Sequence, residues 1–392
     1  MSEKNKEKQA KVLQRIDDAI NAIENKDFTM YFFVVDSKNV PNYSMEYIYQ
    51  LAYSSKMKGY DVCMVYQLDN EYTEDELAEI KQKEEVVDED RTFVGVGEWL
   101  GTEYMELRHM NIAKEEWKVS ASDFLFIPEV FSSLMFQTYK YNVPCKRYVI
   151  MQNYDYMTEN IPFGVQWANY GISDAIVSTD LQDRLLRESF PYVRTKVLNP
   201  YIPDYFRKPV KEPKLIVNIV AKNQDDVHRI MKPFYWKYPS FQFVSFRDLR
   251  GFPRRQFAEL LQEGAITVWI DDKTPFGNSA VEAMRCGNIV IGKVPENIPE
   301  WMMEGDTLAD NGIWFNNIND VHKIIAEVVA SWLEDEIPEE LVSSTEKTNA
   351  LYSHAKYDEN VGKLLDEIMD ERKKELIAVK SVAKNNGKKD EE

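Results

Sequence analysis

Residues 270–301 (IDDKTPFGNSAVEAMRCGNIVIGKVPENIPEW) hold the residue types and spacings that come nearest to chemistry. An apolar run ending at Ile270 predicts a strand. A loop with Pro275, Phe276 and Gly277 follows, and a helix opens at Asn278 or Ser279. A strand–loop–helix of this kind aims free backbone N–H groups and the positive end of the helix dipole out of the sheet edge. That arrangement suits an anion such as a diphosphate, and Gly277 lets the backbone approach it closely. Glu282, one turn into the helix, is placed to accept hydrogen bonds from vicinal hydroxyls such as those of a ribose. The same residues also spell a capping box, Ser279-Ala280-Val281-Glu282, in which Glu282 only bonds back to the Ser279 N–H.

Other constellations are weaker. The four histidines, His109, His228, His322 and His354, form no spaced pair, so neither a metal site nor a Ser-His triad is indicated. The glycines at 95, 97 and 101 have the wrong spacing for a dinucleotide fingerprint and do not open the first βαβ unit. Asp88-Glu89-Asp90 lies in a carboxylate run with no strand, and the adjacent acids Asp271-Asp272 make a poor metal cage. There is no Walker P-loop, and no metal or cofactor is expected. Cys63, Cys145 and Cys286 lie far apart, which excludes a disulfide framework and fits a reducing compartment.

The elements that must position these residues form two series. Residues 10–23 place Val12, Leu13, Ile16, Ile20 and Ile23 on one face, a leading amphipathic helix. Strand-like apolar runs follow at 28–35, 61–66, 124–127, 147–151 and 174–178, with helical patterns between them. Four prolines fall within residues 199–214, which reads as a hinge. Strand-like runs resume at 215–220, 241–246, 265–270 and 289–291, and helices are expected at 321–333 and about 346–380. Such alternation predicts an α/β chain of two Rossmann-like parallel-sheet domains facing across a cleft, with a C-terminal helical segment. The expected borders are 1–27 for the leading helix, 28–208 and 209–345 for the two domains, 346–380 for a helix returning to the first domain, and 381–392 for a polar tail.

Ligands of open α/β sheets bind at strand carboxyl ends. In the first domain those ends and their loops deliver Ser37, Asn39, Glu129, Gln152 and Asn153 toward the cleft. Thr179 and Asp180 also fall there and read as a helix cap.

The chain of 392 residues has 48 bases and 66 acids, a net charge of −18, which argues against nucleic acid as a partner. The charge is uneven. Residues 69–91 carry eleven acids and three bases, whereas residues 207–255 carry twelve bases and four acids. A basic island in an acidic chain points to a local anion. No apolar run is long enough to span a membrane, so a cytoplasmic protein is expected, with membrane contact at most peripheral, through the leading helix at an inner membrane face.

The 270–301 segment resembles the signature of GT-B glycosyltransferases, in particular retaining glycosyltransferase family four. Phe276-Gly277, Glu282-Ala283-Met284, Gly287 and Ile289 to Gly292 match its Glu-x7-Glu motif, and Pro299-Glu300 falls where that family has a Pro-Glu. Lys58-Gly59-Tyr60-Asp61-Val62 is similar to its entry into the second strand. Two departures stand out. Thr274 occupies the place of the motif's first Glu, which grips the transferred sugar in the family. The loop 36–42 replaces a Gly-Gly turn.

The resemblance implies a metal-independent, retaining transfer of a sugar from a nucleotide-activated donor to a glycan, lipid-linked or protein acceptor. It implies that Glu282, Gly277, Asn278, Ser279, Phe276 and Thr274 hold the donor, with Lys222 and Arg229 neutralising its diphosphate and Arg250 near the nucleobase. A non-catalytic GT-B-like binding or scaffold subunit is the alternative, favoured by Thr274 and the missing Gly-Gly.

Overall fold

The computed structural model describes residues 3–35, 42–66, 100–113 and 116–389. The expectations placed on Ser37, Asn39, the acidic stretch 69–91 and most of the glycine run at 95–101 lie outside the described residues.

The first domain is built on a parallel sheet with seven strands among the described residues. Its strands are β1 (Thr29–Phe33), β2 (Asp61–Tyr66), β3 (Arg108–Asn111), β4 (Phe124–Pro128), β5 (Lys146–Met151), β6 (Asp174–Val177) and β7 (Arg194–Val197), in spatial order β3-β2-β1-β4-β5-β6-β7. Central strands β1 and β4 are apolar because helices cover both faces. Phe32 and Phe126 stack across them with centroids 4.4 Å apart. Helix α1 (Glu3–Glu24) leads in, and α2 (Tyr43–Met57), α3 (Ser132–Lys140), α4 (Tyr154–Asn160) and α5 (Asp180–Ser189) connect the strands. Side chains start several of them. Asn42 accepts from the Ser44 N–H at 2.9 Å, Asn153 from Asp155 at 2.9 Å, and Thr179 from Gln182 at 3.1 Å.

The second domain repeats the plan. Strands β8 (Lys214–Ala221), β9 (Ser245–Asp248), β10 (Gly264–Ile270), β11 (Ile289–Lys293) and β14 (Ile313–Phe315) form a parallel sheet in the order β14-β11-β10-β8-β9, with β12 (Met303–Glu304) and β13 (Thr307–Leu308) a short hairpin beside it. Its helices are α6 (Gln224–Lys237), α7 (Arg254–Glu263), α8 (Asn278–Arg285), α9 (Val321–Leu333) and α10 (Glu339–Leu351). The strand expected at 241–246 begins later, at Ser245. Residues Pro239–Phe241 instead form a short 3-10 turn that seats Phe241 on Phe234, centroids 6.1 Å apart.

The helical segment after 345 is divided. Helix α10 stays with the second domain, where the Asn349 amide donates to the Met284 carbonyl at 3.3 Å. The chain then crosses back at Tyr352, and α11 (His354–Lys389) lies on α1 and α2. Its Tyr357, Val361, Leu364, Leu365 and Ile368 share one core with Ile16, Ala19 and Ile23 of α1. The C-terminal half of the leading helix's apolar face, at Ile16, Ala19 and Ile23, is therefore covered by the protein itself, while Val12 stays exposed. No helix among the described residues is long and apolar enough to cross a membrane.

Candidate functional site

β10 is buried along its whole length at the centre of the second sheet, so its carboxyl end is fixed by packing on both faces. The loop 271–277 leaves it and enters α8. Gly277 caps that helix at φ 80°, with no side-chain cap. A Cβ there would come within 3.0 Å of Trp269 and 3.1 Å of Trp301, so both the backbone angle and the space require glycine. Thr274 Oγ1 accepts the Gly277 N–H at 2.9 Å and pins the loop.

A cleft of about 610 Å³ opens in front of this loop, between the two domains. The second domain lines it with Lys222 after β8, Leu249 to Phe252 after β9, and Asp271, Lys273, Thr274, Phe276, Asn278 and Ser279 after β10. From the first domain come Tyr43, Ser44 and Tyr47 at the start of α2, and Gln152 and Asn153 after β5. The carboxyl ends of both sheets thus converge on one space.

Of the residues singled out from the sequence, Thr274, Phe276, Asn278, Ser279, Lys222, Arg250, Gln152 and Asn153 line the cleft. Lys222 is exposed and pairs with Asp271 at 2.9 Å. Arg250 pairs with Asp248 at 2.5 Å. Arg229 is not in the lining; it lies on α6 beside Asp226 and Asn319. Glu129 sits behind the wall, buried, accepting the N–H groups of Gln152 at 3.2 Å and Asn153 at 2.9 Å. Burial pushes its carboxyl up to about 7, against those backbone donors.

Glu282 is also behind the wall. It is 0% exposed and is not part of the cleft lining. The capping box does not form. Instead Glu282 Oε1 takes a short hydrogen bond from Arg254 Nη2, and Oε2 accepts from Arg254 Nη1 at 3.1 Å and from the Tyr43 hydroxyl at 3.1 Å. On its other side Arg254 Nε lies 2.9 Å from Glu46 Oε2. The guanidinium lies over the ring of Tyr43 at 4.6 Å and over that of Phe206 at 4.8 Å.

Arg254 is 3% exposed and Glu46 1% exposed. Burial lifts the Glu46 carboxyl to about 7, although Arg254 pulls it down. Burial also disfavours charge on Arg254, but the two facing carboxylates outweigh it and hold the guanidinium charged. Tyr43 and Glu46 belong to the first domain, Arg254 and Glu282 to the second, so the cluster of three buried charged groups with the exposed Tyr43 above it joins the domains at the floor of the cleft. Sequence reasoning counted Arg254 only within the basic island. The available signal was Glu46 with Gln50, an acid and an amide four residues apart in a stretch, Met45 to Tyr53, that is otherwise apolar and aromatic. Lys273 was missed as well.

No protein-family model matches the chain. Over 208 residues it is 24% identical to an alpha-1,6-glucosyltransferase of Actinobacillus pleuropneumoniae serotype 7 (strain AP76). That alignment covers 50% of this chain and 63% of that protein, so the match spans less than two thirds of the relative's length. Among solved structures, sucrose-phosphate synthase from Thermosynechococcus elongatus superposes with a TM-score of 0.56 at 12% identity, covering 87% of this chain and 99% of that one. The pneumococcal O-GlcNAc transferase GtfA, in complex with UDP and GlcNAc, gives the same TM-score, identity and coverage. The chain has the GT-B fold. Its paired parallel sheets and returning terminal helix are those of that architecture, and the cleft lies between its two domains.

Proposed function

We propose that this chain is a glycosyltransferase that binds a nucleotide-activated sugar in the cleft and passes the sugar to an acceptor held against the first domain. The observation that carries the reading is the α8 entrance at Phe276 to Ser279, facing Gln152 and Asn153 across about 610 Å³. The donor's diphosphate would lie against the α8 amides, where the helix dipole and nearby cations favour negative charge. The nucleobase would sit beside Leu249 to Phe252, and Gln152, Asn153 and Ser44 would present polar groups to the acceptor.

In the transfer, the bond from the anomeric carbon to the phosphate oxygen breaks and its electron pair stays on the nucleoside diphosphate. The acceptor oxygen forms the new glycosidic bond, and its proton passes to solvent. Charge building on the departing phosphate is what fixed amides and cations stabilise. Because side chains and amides can supply that stabilisation, we read the reaction as metal-independent. Retention of configuration is proposed from the sequence resemblance, and the acceptor class from the same source: a glycan or glycolipid intermediate. A uridine-linked glucosyl donor is the first to test, given the relatives named above.

A second reading is a non-catalytic binding or scaffold subunit. It is favoured by Thr274, which puts no carboxylate where the motif has one, and by Glu282, which is buried and engaged by Arg254 and Tyr43. Mass-spectrometric screening of sugar nucleotides for hydrolysis or transfer separates the two. Turnover of any donor supports the enzyme; nucleotide binding with no turnover of the whole panel, alone or with cell-extract acceptors, supports the scaffold.

A further inference from the structure

Four cationic side chains line the cleft: Lys222, Arg250, Arg254 and Lys273. Their pairing separates them. Lys222 lies 2.9 Å from Asp271, Arg250 2.5 Å from Asp248, and Arg254 between Glu46 and Glu282. The remaining acid of the loop, Asp272, lies 2.6 Å from Lys293. Lys273 has no ion-pair partner among the described residues. The loop that feeds α8 therefore carries one uncompensated positive charge, and Thr274 beside it adds no negative charge.

The backbone around that charge is fixed. The Lys273 N–H donates to Asp271 Oδ1 at 3.2 Å, and three residues after Thr274 the Gly277 N–H donates to its hydroxyl at 2.9 Å. An anion arriving at the α8 amides meets Lys273 without displacing a carboxylate. Lys222 and Arg250 keep spare N–H donors, but the acid beside each offsets its charge and opposes the newcomer.

We propose that Lys273 is the cation that holds the donor's diphosphate and stabilises the charge left on it as the sugar departs, ahead of Lys222 and Arg250. This rests on the reading of the cleft as a nucleotide-sugar site. It reverses the ranking that the sequence resemblance implies, which singles out Lys222 and Arg229.

The test is calorimetric titration of UDP, GDP and ADP, and of the corresponding nucleosides, into the full chain. The wild type is expected to bind one of the diphosphates. Lys273→Gln is expected to weaken that affinity about tenfold, equivalent to about 1.4 kcal/mol, and to leave nucleoside affinity and melting temperature unchanged. Lys273→Arg should restore most of the loss, and Lys222→Gln should cost less than Lys273→Gln. The assignment is overturned if K273Q binds the diphosphate as the wild type does, or if K222Q is the more damaging change. Failure of the wild type to bind any of the three diphosphates removes the donor-site reading itself, and this assignment with it.

Discussion

Arg254 is held by carboxylates from two different domains, and that makes it a structural keystone as well as part of the cleft floor. Removing one partner of a buried charge cluster leaves the others desolvated and unpaired. Arg254→Ala is therefore expected to cost about 3–5 kcal/mol of unfolding free energy, measured by urea titration. Glu282→Ala should be destabilising by a similar amount, so a loss of nucleotide affinity in that variant reports on fold as much as on a ribose contact. Gly277→Ala brings both a left-handed backbone and a methyl group against Trp269 and Trp301. A loss of about 1–3 kcal/mol is expected from the strain and overpacking. The readout is a lowered melting temperature together with weaker diphosphate binding, since the α8 amides move.

Among the elements, the central strands were legible because each is an apolar run covered on both faces, as in Phe124 to Ile127. The edge strands were not. Arg108–Asn111, Arg194–Val197 and Ile313–Phe315 each pair on one side only, and the first two are polar apart from Met110 and Val197. The α8 entrance could be read from local pattern, since Gly277 and Gly287 bracket it in sequence. The Tyr43–Arg254 contact could not, because its partners are 211 residues apart and no periodicity connects them. Helix α11 belongs to the first domain by packing, although it follows the second in the chain. Ile368 is fully buried there, and Ile368→Ala should cost about 2–5 kcal/mol. Hydrogen exchange should report that loss in the first sheet, with protection in β8, β10 and β11 retained.

For the whole molecule, two buried carboxyls and a half-buried one set a pH dependence. Burial raises Glu46, Glu129 and Glu300 to about 7. Between about pH 4.5 and 7 the folded chain keeps protons on these groups that the unfolded chain has released. Their stabilising contribution is thus full below about pH 4.5 and is lost as pH rises through about 7. Melting temperature should fall as pH is raised across that window, and Glu129→Gln should flatten the slope. A melting temperature that climbs through the same range would contradict the assignment. Ion pairs such as Lys146 with Asp174, whose carboxyl is held below its usual range despite burial, act in the opposite sense and only at more acidic pH.

The polypeptide passes between the two lobes twice, once through the proline-rich stretch and once at Tyr352. The passages lie side by side, joined by an Ile202 N–H to Tyr352 carbonyl bond of 2.9 Å and by Tyr201 stacked on His354. Two pins set together define an axle, so swinging about one line is the easy motion, and sliding or twisting of one lobe past the other is resisted. A protease nick at Tyr352 leaves the lobes joined covalently through the proline-rich stretch, whereas a nick in that stretch leaves them held together only by the packing of α11 on the first domain.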